Sequence, residues 1–85
     1  MLLYSARFSR RETTDQLQTM FGSGVSESFV ERVFTEAEGN PFYTEEIARW
    51  LVDEGIAIRR DDRWYVESTE AWQLPPHLRS LLQSS

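Results

Sequence analysis

Apolar side chains recur with helical spacing in three consecutive segments of the chain, and the first segment ends near residue 21. Leu17, Met20 and Phe21 occupy positions i, i+3 and i+4. Ser9 and Glu12 have the spacing of a capping box, in which each side chain bonds the backbone amide of the other residue. The pattern predicts a short helix with one apolar face, which the glycines that follow it bring to an end.

The second segment has the most regular pattern, because its apolar residues repeat with a period of 3.6. These residues are Phe29, Val30, Val33, Phe34 and Ala37. Ser26 is a preferred N-cap residue, and Val25 is placed to pack against Val30 as a hydrophobic staple. The segment predicts a helix that ends at Gly39.

The third helix is indicated first by the residues at its start. Asn40 is a favoured N-cap, and Pro41 suits the first helical position because it has no backbone N–H to leave unpaired. Its apolar face consists of Tyr43, Ile47, Trp50 and Leu51. Glu45 and Arg49 are spaced for an ion pair on the other face, and Gly55 ends the helix. Only residues 39–41 separate this helix from the second, so we expect a joint that fixes the angle between them.

The period of the pattern changes from helical to alternating after residue 55. Ile56 and Ile58 precede a pair of aspartates, and Trp64 and Val66 follow it, which predicts a β-hairpin with an acidic turn. A looser alternation over residues 2–8 predicts one short strand ahead of the helices.

A last helix is predicted after Leu74 and the two prolines that follow it. Leu78, Leu81 and Leu82 lie on one side of this helix. The complete pattern is that of an α+β fold, mainly helical, with one two-stranded hairpin.

The composition excludes several kinds of reactive site. The 85 residues contain no cysteine, no lysine, one histidine, nine arginines and fourteen acidic residues. Disulfides, thiolate nucleophiles and His/Cys metal clusters are therefore excluded. Without lysine the chain cannot contain a phosphate-binding loop of the form G-x-x-x-x-G-K-[ST]. Hydrolytic chemistry and a bound metal are not expected.

Charge and hydropathy limit the partners and the compartment. The net charge of −5 disfavours nucleic acid, because binding to phosphates needs a basic face. No apolar run approaches the roughly 20 residues needed to cross a bilayer, and the first residues lack the charged lead-in of a signal peptide. We expect a cytoplasmic protein that directly contacts neither nucleic acid nor membrane.

One run of ten residues, EGNPFYTEEI from Glu38 to Ile47, contains a G-x-P motif at the start of the third helix. It is followed by DEG at residues 53–55, by a tryptophan in the hairpin and by LPPHLRSLL at residues 74–82. This order resembles the lid of STAND-class signalling ATPases over about residues 8–82. It is most similar to the AAA-type ATPase modules of large LuxR-type transcriptional regulators and bacterial adenylyl cyclases.

The resemblance implies that Gly39, Asn40 and Pro41 contact an adenine nucleotide, with Pro41 against the base. Gly39 would permit a close approach, Asn40 would cap the helix, and the helix start would present free amides of positive character to the ligand. From local geometry alone, a structural alternative stays open, because the same three residues suit an ordinary helix corner.

The resemblance also implies the partners and the cofactor. ATP or ADP would bind only in an intact parent protein, whose upstream nucleotide-binding core supplies the phosphate loop and the magnesium-binding acid. Downstream effector domains would receive the signal. This chain alone is therefore expected to be no enzyme and to hold no cofactor.

The same resemblance sets the expected domain division. Residues 1–73 would be the helical lid and its hairpin, and residues 74–85 the first helix of a following winged-helix-like domain, which the chain only begins. The full expectation is an α+β fold with a mainly helical lid, a two-stranded hairpin and the start of a winged-helix-like domain.

Two alternative functions stay open. Helices followed by a hairpin are also the parts of a winged-helix-like DNA-reading module, which the acidic charge disfavours. Exposed aromatic surfaces would suit a protein-interaction module with no nucleotide role. We interpret Glu45 and Glu46 as acids that stabilise the helix start rather than as a catalytic pair. We interpret Trp50, Trp64 and Trp72 as packing residues rather than as a platform for a base.

Overall fold

The computed structural model describes residues 7–68, 72–76 and 78, which form three helices followed by an antiparallel two-stranded hairpin. In chain order the elements are α1 (Arg10–Phe21), α2 (Glu27–Ala37), α3 (Pro41–Asp53), β1 (Ala57–Arg60) and β2 (Arg63–Val66). The mainly helical α+β fold is confirmed. None of the described helices is long and apolar enough to cross a bilayer.

Helix α1 begins and ends as its sequence predicts. The Ser9 hydroxyl accepts a hydrogen bond from the Glu12 amide at 3.1 Å, and the Glu12 carboxylate accepts one from the Ser9 amide at 2.8 Å. The capping box is therefore formed. Leu17 and Phe21 are buried, and Gly22 ends the helix with a positive φ of 88°.

Helix α2 also has the predicted cap, since the Ser26 hydroxyl accepts a hydrogen bond from the Phe29 amide at 3.1 Å. Its buried side chains are Phe29, Val30, Val33 and Ala37. Phe34, expected on the same face, is only half-buried. The helix ends at Glu38, which adopts the left-handed conformation with a φ of 54°.

The three helices and the hairpin share one hydrophobic core. Tyr43, Ile47 and Leu51 of α3 are buried in it, whereas Trp50 is partly buried at its margin. Phe21 joins the helices to the hairpin, because its ring meets the edge of Trp64 at a centroid distance of 5.1 Å. Such edge-to-face pairs are favourable beyond the area that they bury.

The inner face of β1 is formed by its alanine and not by its isoleucine. Ala57, which pairs with Val66, is the buried residue of β1. Ile58 pairs with Tyr65 on the opposite face, and these side chains are 41% and 50% exposed. Alternate residues of a strand point to opposite faces, so a buried alanine places Ile58 outside. In β1, the size of a side chain therefore does not predict whether it lies on the buried face.

Trp72 lies in the core, as predicted. It is 5% exposed, its ring packs against Trp50 at a centroid distance of 6.2 Å, and the Arg32 guanidinium lies 4.4 Å from the ring centroid. Arg32 also donates to the Trp72 carbonyl at 3.2 Å. Both neighbours occupy the surroundings of the Trp72 ring, which supports packing rather than base stacking.

The predicted pair on α3 is wrong: within the described part of the chain, Glu45 and Arg49 form no ion pair. An i,i+4 ion pair does form on α2, where Arg32 and Glu36 approach to 3.2 Å. Glu45 and Arg49 are both exposed, and an exposed ion pair of this kind adds at most about 1 kcal/mol, too little to fix two long side chains.

The last helix begins where it is predicted, because Pro76 and Leu78 are helical. Leu74 and Leu78 are buried in the same core as the three helices, and the Tyr43 hydroxyl donates to the Leu78 carbonyl. The division of the chain at residue 74 stays a prediction. Leu81, Leu82 and most of the strand predicted over residues 2–8 lie outside the described residues, and Arg7 and Phe8 are not part of a strand.

Candidate functional site

The site predicted from the sequence is the short joint between α2 and α3, and its first member is Gly39. This residue is buried and has a φ of 78°, a conformation that favours glycine. A Cβ atom here would lie 2.7 Å from the Phe8 carbonyl oxygen, and the Phe8 amide donates to the Gly39 carbonyl at 2.6 Å. The close approach that the glycine permits is therefore to a neighbouring segment of the chain.

Arg7 ties the same segment to the end of α2. Its guanidinium donates to the Glu38 carbonyl and lies 3.9 Å from the Glu38 carboxylate. An unpaired carbonyl at a helix C-terminus is a favourable partner for a cation. Arg7 is distant from Glu38 in sequence, and no local pattern revealed this contact.

Asn40 caps α3 as predicted, and it does so twice. Its side-chain oxygen accepts from the Phe42 amide at 2.9 Å and from the Tyr43 amide at 3.3 Å. Its backbone carbonyl accepts from both the amide and the hydroxyl of Thr44, at 2.9 Å and 3.1 Å.

The expectation that the start of α3 presents free amides to a ligand is therefore wrong. Pro41 has no N–H, and the next three amides all have partners within the chain. An anion at this helix start would have to displace the Asn40 side chain. The joint does not offer the usual helix-end site for a phosphate.

Pro41 is half-buried, and its carbonyl accepts a hydrogen bond from the Gln16 side-chain amide of α1 at 3.0 Å. The joint is thus held on one side by the Phe8 segment and on the other by α1. Because the Gln16 bond uses the backbone carbonyl, it does not depend on the proline ring.

Phe42 follows Pro41 in the EGNPFYTEEI segment and is the most exposed residue of the site to which the resemblance gives no role. Its side chain is 78% exposed, more than the other large hydrophobic residues described as exposed, Val52, Ile58 and Tyr65. One signal was present in the sequence: Phe42 stands outside the apolar stripe of α3, so a helical Phe42 had to face away from the core.

The acidic residues nearest the joint are Glu45 and Glu46 of α3. Their side chains are exposed, but both lie beyond the first turn of α3, which contains no acidic residue, so the interpretation that they stabilise the helix start is wrong. Among the described residues, no group of three or more His, Cys, Asp or Glu side chains is placed to hold a metal ion. The arrangement can present an apolar surface, Pro41 and Phe42, on a rigid corner.

Three cavities lie away from the joint. One cavity of about 440 Å³ lies between the α1–α2 loop and the hairpin, lined in part by Phe21, Val25, Phe29 and Trp64. Two others follow the seam between α1 and α3. Residues 39–42 line none of these three cavities.

Comparison of the chain with protein-family models, with curated proteins and with solved structures finds no match. The resemblance to the STAND class therefore stays a prediction that rests on the motifs quoted above. The structure adds the geometry of the joint to those motifs.

Proposed function

We propose that the chain is a nucleotide-sensing lid segment of a larger signal-transduction ATPase, in which Pro41 and Phe42 contact the adenine base. The observation that carries the proposal is the Phe42 side chain, 78% exposed next to a half-buried proline on the G-x-P joint. Stacking of a base on an aromatic side chain contributes about 1–3 kcal/mol, and every base offers a face for it.

The rigidity of the joint supports this role. Gly39 is fixed by Phe8, and the Pro41 carbonyl is fixed by Gln16 of α1. A contact residue on such a corner loses little conformational entropy when a ligand binds. The joint connects α2 to α3 and is bonded to α1. A base bound there would therefore affect three helices at once, as a nucleotide sensor requires.

The first amides of α3 are already hydrogen-bonded within the chain, and this limits which part of the nucleotide the joint would bind. Phosphates need free donors or cations, whereas an aromatic ring and a proline need only an apolar face. We therefore assign the base to the joint and the phosphates to an upstream core. ATP or ADP would bind in the intact parent, and this chain would provide the lid.

A DNA-reading winged-helix-like module is the main rival, since three helices followed by a hairpin also fit that order of elements. In such a module α3 would enter the major groove. Its exposed side chains include three carboxylates, Glu45, Glu46 and Asp53, against one cation, Arg49. Carboxylates at this position repel the phosphate backbone, so the charge of α3 favours the lid.

The proposal can be tested on the chain itself with isotope-labelled protein and millimolar adenosine or ATP. We expect resonances of the Phe42 ring and of Pro41 to shift, by similar amounts for both ligands, because the base carries the contact. Phe42→Ala should remove the shifts. Tyr65→Ala is the matched control, since Tyr65 is another exposed aromatic residue, placed on the hairpin.

The same chain should not hydrolyse ATP, and its affinity should be no tighter than about millimolar, because phosphate and magnesium contacts supply most of the affinity in such enzymes. Shifts at Tyr65 as large as those at Phe42 would contradict a specific base contact. So would a response that appears with ATP and is absent with adenosine.

A further inference from the structure

Among the described residues, the seam between α1 and α3 forms an open groove that no residue of α2 lines. Two adjoining cavities, of about 490 and 360 Å³, make up this α1–α3 groove, and both are lined by Met20 and Glu45. The apolar side chains that line the groove are Phe8, Met20, Phe21, Ala48, Val52 and Trp64.

The core explains why this groove is open. Leu17 and Phe21 of α1, and Ile47 and Leu51 of α3, are buried in the common core. Of the apolar side chains along the seam, Phe21 and Ala48 belong to that core, Met20 and Trp64 lie at its margin, and Val52 is 42% exposed. A continuous apolar groove between two helices accommodates a third helix, whose side chains fit between those of the first two.

The rim of the groove is acidic. Glu12, Asp15 and Glu45 line it, against one cation, Arg49. An acidic rim attracts a basic occupant and repels nucleic acid and anionic lipid surfaces. The apolar floor and the acidic rim of the groove together favour a partner that carries an apolar stripe flanked by basic residues.

We propose that the α1–α3 groove docks one amphipathic helix with basic flanks, contributed by a partner protein. The apolar stripe of the helix packs on Met20 and Val52, and its basic residues lie over the carboxylates of the rim. This inference concerns a different surface from the nucleotide contact at the joint and does not depend on it.

The probe is a synthetic 18-residue peptide with leucine at positions i, i+3, i+4 and i+7 and arginine or lysine elsewhere. A second peptide of the same composition is scrambled so that the stripe is lost. Titration calorimetry with the complete 85-residue chain should show saturable one-to-one binding of the first peptide. Binding should weaken as salt is raised, because the rim contacts are exposed.

The apolar floor is tested by Val52→Glu, with Ile58→Glu as its matched control. The two side chains are 42% and 41% exposed, and Ile58 does not line the groove. We expect Val52→Glu to weaken peptide binding at least tenfold and Ile58→Glu to leave it within twofold. Circular dichroism checks that both variants keep the wild-type helix content.

The acidic rim is tested by Glu45→Arg, with Glu27→Arg as its control. Glu27 is an exposed acid at the start of α2 and lies outside the groove. Both variants replace a glutamate by an arginine, so they change the net charge equally. We expect about threefold to tenfold weaker binding for Glu45→Arg, the range of exposed charge pairs that become repulsive. Glu27→Arg should stay within twofold.

Three outcomes would overturn the proposal. The scrambled peptide could bind as tightly as the amphipathic one, or Ile58→Glu could weaken binding as much as Val52→Glu. Light scattering of the chain alone could reveal self-association that Val52→Glu abolishes, in which case the groove holds a second copy of this chain.

Discussion

Two helix ends in this protein use the same local conformation for different purposes. Gly39 follows α2 with a φ of 78°, and Gly55 follows α3 with a φ of 76°. Gly39 is buried, and a Cβ atom there would meet a backbone oxygen at 2.7 Å. A Cβ atom added at Gly55 would meet no atom of another segment within 4 Å. The same residue type therefore marks a packed joint in one place and a simple helix end in the other.

The difference continues into the residues that follow. After Gly39, Asn40 and Pro41 start a helix whose first amides are capped and whose first carbonyl is bonded to α1. After Gly55 the Ile56 amide bonds back to the Leu51 carbonyl, and the chain enters a hairpin with an exposed outer face. The first corner is held by contacts distant in sequence, whereas the second is held by contacts within its own helix end.

The largest expected effect comes from the core rather than from either glycine. Leu51→Ala, one turn before the Gly55 corner, removes a fully buried side chain and should cost about 2–5 kcal/mol. Phe34→Ala, beside the Gly39 corner, should fall at the lower end of that range because Phe34 is half-buried. Urea unfolding followed by circular dichroism measures both. Equal losses would mean that the two positions are equally buried in solution.

The two glycines themselves give the next largest contrast. Gly39→Ala places a methyl group against the Phe8 carbonyl in a left-handed conformation and should cost about 2–4 kcal/mol. Gly55→Ala suffers the conformational strain alone, about 1 kcal/mol. The same unfolding measurement applies. If the two substitutions destabilise the protein equally, the contact between Gly39 and Phe8 is not formed in solution.

A smaller effect separates the two helix caps. Asn40 accepts from two amides of α3, whereas the Ser26 hydroxyl accepts from one amide of α2. Asn40→Ala should cost about 1–2 kcal/mol and Ser26→Ala about 1 kcal/mol or less. Thermal melting of the two variants side by side is the measurement. A larger loss at Ser26 would contradict the double cap.

The smallest effect on stability is expected at Pro41, where it is most informative about function. Pro41→Ala keeps the backbone carbonyl that Gln16 binds, and alanine is well suited to the first helical turn. The free energy of unfolding should therefore change by less than about 0.5 kcal/mol. In a reconstructed parent with an upstream nucleotide-binding core, ATP or ADP binding should weaken by about 1 kcal/mol or more. A proportional loss of stability and binding would make Pro41 a structural residue only.

The capping residues show which features of the fold can be predicted from the local sequence. Ser9, Ser26 and Asn40 were predicted from patterns of three or four residues, because a cap forms between a side chain and amides of the same turn. Phe34, predicted on the apolar face of α2, is only half-buried, and the exposed position of Ile58 was not predicted. Whether a hydrophobic residue at a helix or strand position is buried depends on which element packs against it, and neither position carries that information.

At the candidate site, too, some features could be predicted from the sequence and others could not. The positions of Gly39, Asn40 and Pro41 at a helix joint were predictable, but the groups that surround them were not. Phe8 and Gln16 contact the joint from 31 and 25 residues away in sequence. The bonded amides of α3 follow from the Asn40 cap, and Phe42 stands outside the apolar stripe of α3, so at this site only the contacts with Phe8 and Gln16 needed the tertiary structure.

The sequence by itself determined the helices, their caps, the hairpin and the exclusion of lysine- or cysteine-dependent chemistry, because these follow from local spacing and composition. The tertiary structure alone decided that Gly39 meets Phe8, that Ala57 rather than Ile58 faces the core, and that α1 and α3 leave an acid-rimmed groove. Each of these depends on segments distant in sequence coming together, and the burial of a side chain is a property of that meeting rather than of the residue.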